Sequence, residues 1–262
     1  MDMTTGPTVN LRINRFLPYW AVLQTDLRQT MRGWVFRLWI AMTVIAAGGM
    51  LLYRAGLHTE AGMVQSAAAQ CADLFRILTI GSLALVVVLA VTGVGGERGT
   101  LADSVLSRGI SRHQYFLAKW HSRVSMLVLT FAALATAILL ASYFFFKSDS
   151  QSDLSFSGGV MAILSITAVL AVIVSWGITI GALTHGTVMG ITVFWLILYG
   201  AGFALSWLPE PWPSPDREFT RLKFVLQGHY NVGMIGDLIL GSIGLSALAG
   251  AVGLVGFSRR DM

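Results

Sequence analysis

The chain has 262 residues, of which 55% are hydrophobic and 12% charged, against about 25% charged in an average soluble domain. With a mean hydropathy of +0.70, these proportions exclude a soluble globular enzyme, a disordered chain and a nucleic-acid-binding domain, and place most of the chain in lipid. The net charge of +5 then reads as Lys and Arg held on one face of a membrane, and the single cysteine, Cys71, excludes an internal disulfide framework and a thiolate metal cage.

The first predicted element is an amphipathic helix over 18–33. Trp20, Leu23, Leu27, Met31 and Trp34 fall on one stripe, while Gln24, Asp26, Arg28 and Arg32 point elsewhere. Such a helix belongs flat on a membrane face, with its arginines toward anionic headgroups. A first span follows over 34–53, with Arg37 near its start, and a second over 77–94. Each is near the roughly 20 residues that cross a bilayer. The first apolar run comes after several arginines and lacks a small-residue cleavage pattern, so it reads as a retained span rather than a signal peptide.

The stretch from Gly95 to Trp120, GGERGTLADSVLSRGISRHQYFLAKW, is the most informative in the chain. Thr100 and Asp103 fit a capping box, which predicts a short helix over 100–108 closed by Gly109. Ser111 and Gln114 form a second box that opens the helix into span three, 124–146. A doubly capped element between two spans is more than a connection needs and suggests a docking surface for a soluble partner.

A polar segment, Lys147 to Asp153, leads to span four (160–183), and a tight turn at Thr184, His185 and Gly186 leads to span five (188–208). Residues 209–231 hold four of the six prolines. Pro215, preceded by Ser214 as N-cap, opens a short helix with an apolar face of Phe219, Leu222, Val225 and Leu226, and Trp207 and Trp212 at headgroup level. Span six covers 238–257. Gly177 with Gly181, Gly186 with Gly190, and Ser242, Ser246 and Gly250 form small-residue faces for close helix packing, within a bundle or between copies.

Six spans put both termini on one side. Twelve of the eighteen Lys and Arg lie on that side: Arg12, Arg15, Arg28, Arg32, Arg37, Arg98, Arg108, Arg112, Lys119, Arg123, Arg259 and Arg260. The bias predicts cytoplasmic termini. No GxxxxGK[ST], GxSxG, HExxH or CxxC pattern occurs, and the five histidines lack metal-ligand spacing. Ionisable groups are nearly absent from the spans: Arg37 snorkels, Arg76 lies near Asp73 at a span end, and Asp237 begins span six, where a carboxylate favours the helix N-terminus. No ion-coupling residue stands at mid-membrane, so energy for any transport has to come from another chain.

The run Glu97-Arg98-Gly99-Thr100-Leu101, then Leu106-Ser107, Ile110-Ser111-Arg112 and Tyr115-Phe116-Leu117-Ala118-Lys119, resembles the cytoplasmic signature of ABC type-2 transporter permeases, E-x-G-T-L, a short helix, L-S-x-P-I-S-R and Y-x-x-x-K. The C-terminal Phe257-Ser258-Arg259-Arg260-Asp261-Met262 is similar to that family's F-x-R-R-D-L terminus, and Gly109 departs from it where proline is usual. The resemblance implies an all-α membrane protein with six transmembrane helices, an N-terminal elbow helix and a coupling helix between spans two and three. It implies a bacterial inner-membrane permease, an exporter with no catalytic site, cofactor or metal of its own, paired with a second permease copy. ATP and Mg would be bound by two copies of a separate ATPase subunit. Glu97, Gly99, Thr100, Leu101, Asp103, Leu106, Arg108 and Arg112 are the residues expected to couple to that ATPase. Membrane lipids and an outer-face protein are further expected partners, and nucleic acid is not one. The alternative on the same scaffold is a non-transporting anchor or mechanotransmission subunit.

Overall fold

A computed structural model describes residues 16–61, 66–95, 110–146, 153–207, 209 and 215–259. These residues form helices and no strand. In chain order they are α1 (Leu17–Arg32), α2 (Trp34–Ala61), α3 (Ala67–Gly95), α4 (Arg112–Phe146), α5 (Phe156–Leu183), α6 (Thr187–Ser206), α7 (Pro215–Thr220), α8 (Leu222–Leu226) and α9 (Val232–Ser258). Six of them, α2 to α6 and α9, are long and apolar enough to cross a membrane. The chain is an all-α, multi-pass membrane protein.

Several helices run beyond the apolar windows read from sequence. The spanning stretches begin at Ala67, Arg112, Phe156 and Val232 rather than at 77, 124, 160 and 238. Backbone hydrogen bonding does not stop where hydrocarbon does. The 33 residues from Arg112 to Phe144 rise about 50 Å, against roughly 30 Å of hydrocarbon. About two fifths of that length therefore exceeds what the bilayer core can hold if the helix stands upright. Asp237 is also displaced from its expected place. The first turn of α9 is capped by Asn231, whose Oδ1 accepts from Gly233 N at 2.9 Å, and Asp237 lies past that turn on the exposed surface.

α5 is the central helix, packed against α3, α4, α6, α8 and α9. Its small residues permit this. A Cβ on Gly177 would stand 2.8 Å from Ala90 Cβ, and one on Gly181 would collide with the Val91 carbonyl of α3. On the opposite side, Thr179 Oγ1 donates to Ala249 O of α9 at 2.8 Å, where Ser246, Ala249, Gly250 and Gly253 are buried. These small-residue faces serve packing within one chain. By contrast, α2 and α6 bury little of their surface and present Met42, Ile45, Leu52, Leu196, Tyr199 and Phe203 outward.

The two ends of the bundle are closed differently. At the end remote from α1, the short helices α7 and α8 fold over α3 and α5, burying Leu222, Val225 and Leu226. The apolar face expected there is thus the packed face, while Phe224 remains exposed. Arg76 of α3 donates from Nη2 to the carbonyls of Phe219 (3.1 Å) and Thr220 (3.2 Å), besides its 3.5 Å pair with Asp73. Asp153 accepts from Ala68 N at 3.0 Å and from Gln227 Nε2 at 2.7 Å, and Ser155 N donates to Leu226 O at 2.8 Å. Gly228, at φ +90, makes the reversal after α8, a backbone region that glycine enters without steric cost. At the other end, α1 lies against α4 and carries the cluster described next.

Candidate functional site

The polar groups that most need explaining lie between α1 and α4. Asp26 is 1% exposed, Lys119 3% and Arg123 7%. Charged residues at such burial occur almost only in pairs or networks. Asp26 Oδ1 accepts from Lys119 Nζ at 2.8 Å and from Arg123 Nη2 at 3.2 Å. Its Oδ2 accepts from Ser122 Oγ at 2.7 Å and from Arg123 Nε at 3.0 Å. Arg123 thus holds the carboxylate with both arms of its fork, the geometry in which guanidinium–carboxylate bonds are strongest. Burial pushes the Asp26 carboxyl upward. The Arg123 and Lys119 cations and the Lys119 and Ser122 hydrogen bonds outweigh that and hold it below the usual carboxylate range.

In the sequence Lys119 and Arg123 fall on the helix that opens at Ser111, counted among the basic residues between spans two and three, and Asp26 reads as part of a polar face turned away from the apolar stripe of α1. In the structure both cations belong to α4, and the polar face at Asp26 and Thr30 is the buried one. The apolar stripe is what faces outward, with Trp20, Met31 and Trp34 more than half exposed. That is the orientation a helix lying on a lipid surface needs. Among the described residues the buried charge is concentrated at this α1 end, on α1 and on the part of α4 that precedes the apolar window 124–146.

Four helices meet at this cluster. The Arg123 side chain crosses Gly93 of α3 so closely that a Cβ there would stand 3.2 Å from Arg123 Cγ and Nε. Lys119 Nζ stands 5.8 Å from the centre of the Tyr115 ring, and Tyr115 stacks on Phe257 near the end of α9. Further along α1, Tyr19 Oη is 3.0 Å from His121 Nδ1, which is also 2.9 Å from Leu117 O. A protonated Nδ1 donates its single hydrogen toward one of these two oxygens, and an unprotonated Nδ1 accepts from the Tyr19 hydroxyl. The boundary between α1 and α2 is a single extended residue, Gly33, whose N–H donates to Gln29 O and Thr30 O. Arg37, expected to snorkel, reaches back to Met31 O at 3.4 Å.

Of the residues expected to couple to an ATPase, Glu97, Gly99, Thr100, Leu101, Asp103, Leu106 and Arg108 lie outside the described residues. Arg112 is the first residue of α4. The helix start beside it is built as expected: Gln114 N donates to Ser111 Oγ at 3.2 Å, and Ser111 N donates to Gln114 Oε1 at 3.4 Å. The cluster begins two turns further on. Sequence periodicity could not have found it, because Asp26 and Arg123 are 97 positions apart. The available signal was the lone acid among the polar residues of α1.

Elsewhere, Ser175 is fully buried in α5 while His185 is exposed in the turn after it, so they form no catalytic pair. No group of three His, Cys, Asp or Glu among the described residues is placed to hold a metal ion. No protein-family model matches the chain, and no curated protein is significantly similar to it. What the fold itself defines is a six-span helical membrane protein with a buried ion cluster at the end where α1 packs.

Proposed function

We propose that the chain is the membrane-spanning permease subunit of an ATP-driven ABC transporter, an exporter whose ATP, with Mg, is bound and hydrolysed by a separate ATPase subunit. The observation that carries this reading is where the Y-x-x-x-K end of the family-like signature lies. Its Tyr115 and Lys119 belong to the cluster that joins α4 to α1 through Asp26. In sequence the segment 97–108 precedes α4 by three residues, Gly109 to Ser111. A soluble subunit that moves this segment would push the first turns of α4, and the Asp26 bonds would carry α1 with them. Because α1 continues into α2 across only Gly33, the displacement would reach the first span without a long linker.

On this reading the chain is not itself an enzyme. Its residues transmit motion, and the complex contains two ATPase copies and a second copy of the permease. The Lys and Arg bias supports cytoplasmic termini in a bacterial inner membrane. Lys119 and Arg123 belong to that count although they are buried in protein.

The test is purification with a Walker-motif ATPase, followed by reconstitution. Glu97→Ala combined with Leu101→Asp is expected to abolish ATPase binding. Asp26→Asn is expected to retain the ATPase while coupled turnover falls about ten-fold, the usual weight of a lost charge-assisted bond. Retained binding in the double variant would sink the docking assignment. ATP hydrolysis coupled to no movement of any substrate into vesicles would favour the anchor reading instead.

A further inference from the structure

We propose that the open cavity between α8 and the start of α9 binds the phosphate of an anionic phospholipid from the leaflet remote from α1. The cavity has a volume of about 520 Å³, and its wall includes Arg221, Phe224, His229, Tyr230, Asn231 and Met234. Its chemistry is an excess of hydrogen-bond donors. Arg221 and His229 are exposed, and among the described residues neither their side chains nor the Tyr230 hydroxyl has a partner. Asn231 Oδ1 accepts from Gly233 N at 2.9 Å and Met234 N at 3.4 Å, which leaves the Asn231 amide N–H groups to donate. The sequence between Phe219 and Gly236 carries Arg221 and Lys223 and no Asp or Glu. Donors around a guanidinium fork, without acceptors to match, suit a phosphate. The positive end of the α9 dipole, at Asn231, adds to the attraction.

Depth in the membrane selects a lipid phosphate over a dissolved one. The 27 residues of α9 rise about 40 Å, against roughly 30 Å of hydrocarbon. Asp237, exposed in the second turn of α9, is a carboxylate that needs water, whereas Leu240 is 68% exposed and belongs in hydrocarbon. The boundary between headgroups and acyl chains therefore falls between these two residues, and the cavity at Arg221 to Met234 stands just above it, level with lipid phosphates. Below the cavity an apolar lane continues down α9. Gly241 and Leu245, seven and eleven residues after Met234, lie within about 20° of it around the helix. Leu245 is exposed, and a Cβ on Gly241 would meet nothing within 4 Å. Asp237 is about 60° to one side of this lane. A phospholipid held by its phosphate at Arg221 thus lays an acyl chain over Met234 and along Gly241, and a dissolved anion would use only the upper half of the site.

The experiment uses the full chain in phosphatidylcholine nanodiscs containing a small fraction of phosphatidylglycerol with a diazirine on one acyl chain, close to the glycerol. After photolysis, label is expected to concentrate on Met234 to Leu245. Arg221→Met, which keeps the stem and removes the cation, is expected to lower that label about ten-fold, and Arg221→Lys, which keeps the charge, to retain most of it. Lys223→Met removes the same charge from an exposed neighbour off the cavity wall and is expected to leave the label unchanged. Gly241→Trp, which fills the lane, is expected to lower it several-fold with Arg221 intact. Equal losses in Arg221→Met and Lys223→Met would show general surface attraction and overturn the proposal. So would label spread evenly over the outward faces of all spans, or crosslinks from Met234 to Leu245 onto a second copy of the chain. Displacement of the label by an excess of inorganic phosphate would show a site for a dissolved anion, and would overturn it too.

Discussion

Arg123 grips Asp26 with two nitrogens, Nε at 3.0 Å and Nη2 at 3.2 Å, from a different helix and 97 positions away. The pair fixes α1 to α4, and Gly93 of α3 leaves the space in which the guanidinium stem lies. Breaking such a pair from one side is costly because the remaining charges stay buried.

Asp26→Ala leaves Lys119 and Arg123 without their shared carboxylate. The expected loss is about 3–5 kcal/mol, read as a large fall in Tm in detergent. Replacing all three groups together, as Asp26→Leu with Lys119→Met and Arg123→Met, is expected to restore much of that loss, because no buried charge remains. A triple variant as unstable as Asp26→Ala would show that these charges are not the source of the stability.

The same carboxyl makes stability depend on pH. Asp26 titrates below its ordinary value in the folded chain, and near pH 4 when unfolded. Its contribution is therefore fully present above about pH 4 and is lost as pH falls through the lower folded value. Asp153 shifts the same way: burial raises it, but hydrogen bonds from Ala68 N, Gln227 and Ser66 lower it further. Tm is expected to fall steeply on acidification, and Asp26→Asn and Asp153→Asn should each flatten part of that slope. An unchanged slope in Asp26→Asn would contradict the assignment.

Glycines in the central helix differ sharply from those on the exposed face of α9. Gly181→Leu forces a side chain onto the Val91 carbonyl, and a loss of about 3 kcal/mol or misfolding is expected from such overpacking. Gly241→Ala and Gly244→Ala, where a Cβ meets nothing within 4 Å, are expected to stay within about 0.5 kcal/mol of the native chain. Thermal unfolding of the three variants side by side checks the ordering.

At the far end, Arg76 bonds the carbonyls of Phe219 and Thr220. Arg76→Met keeps the length of the stem and removes the donors. It is expected to raise amide hydrogen exchange across 219–226 about ten-fold, the effect of losing one or two charge-assisted bonds, while exchange in α5 is unchanged. Equal protection in the variant would mean that Leu222, Val225 and Leu226 hold this cover by burial alone.

Elements with local causes are legible in the amino-acid sequence alone. Six apolar runs long enough for a bilayer became six spanning helices. Ser111 and Gln114 closed the capping box that their spacing required, and Phe219, Leu222, Val225 and Leu226 supplied the packed face of α7 and α8. Helix ends were misplaced wherever a helix continued past its hydrocarbon-length window, since backbone hydrogen bonding is indifferent to where lipid stops. Which face of α1 turns inward depends on the packing of α1 against α4. Periodicity shows that Asp26 is off the apolar stripe, and in water that would mean solvent. Beside α4 it means burial, because Lys119, Ser122 and Arg123 together supply four hydrogen bonds to one carboxylate.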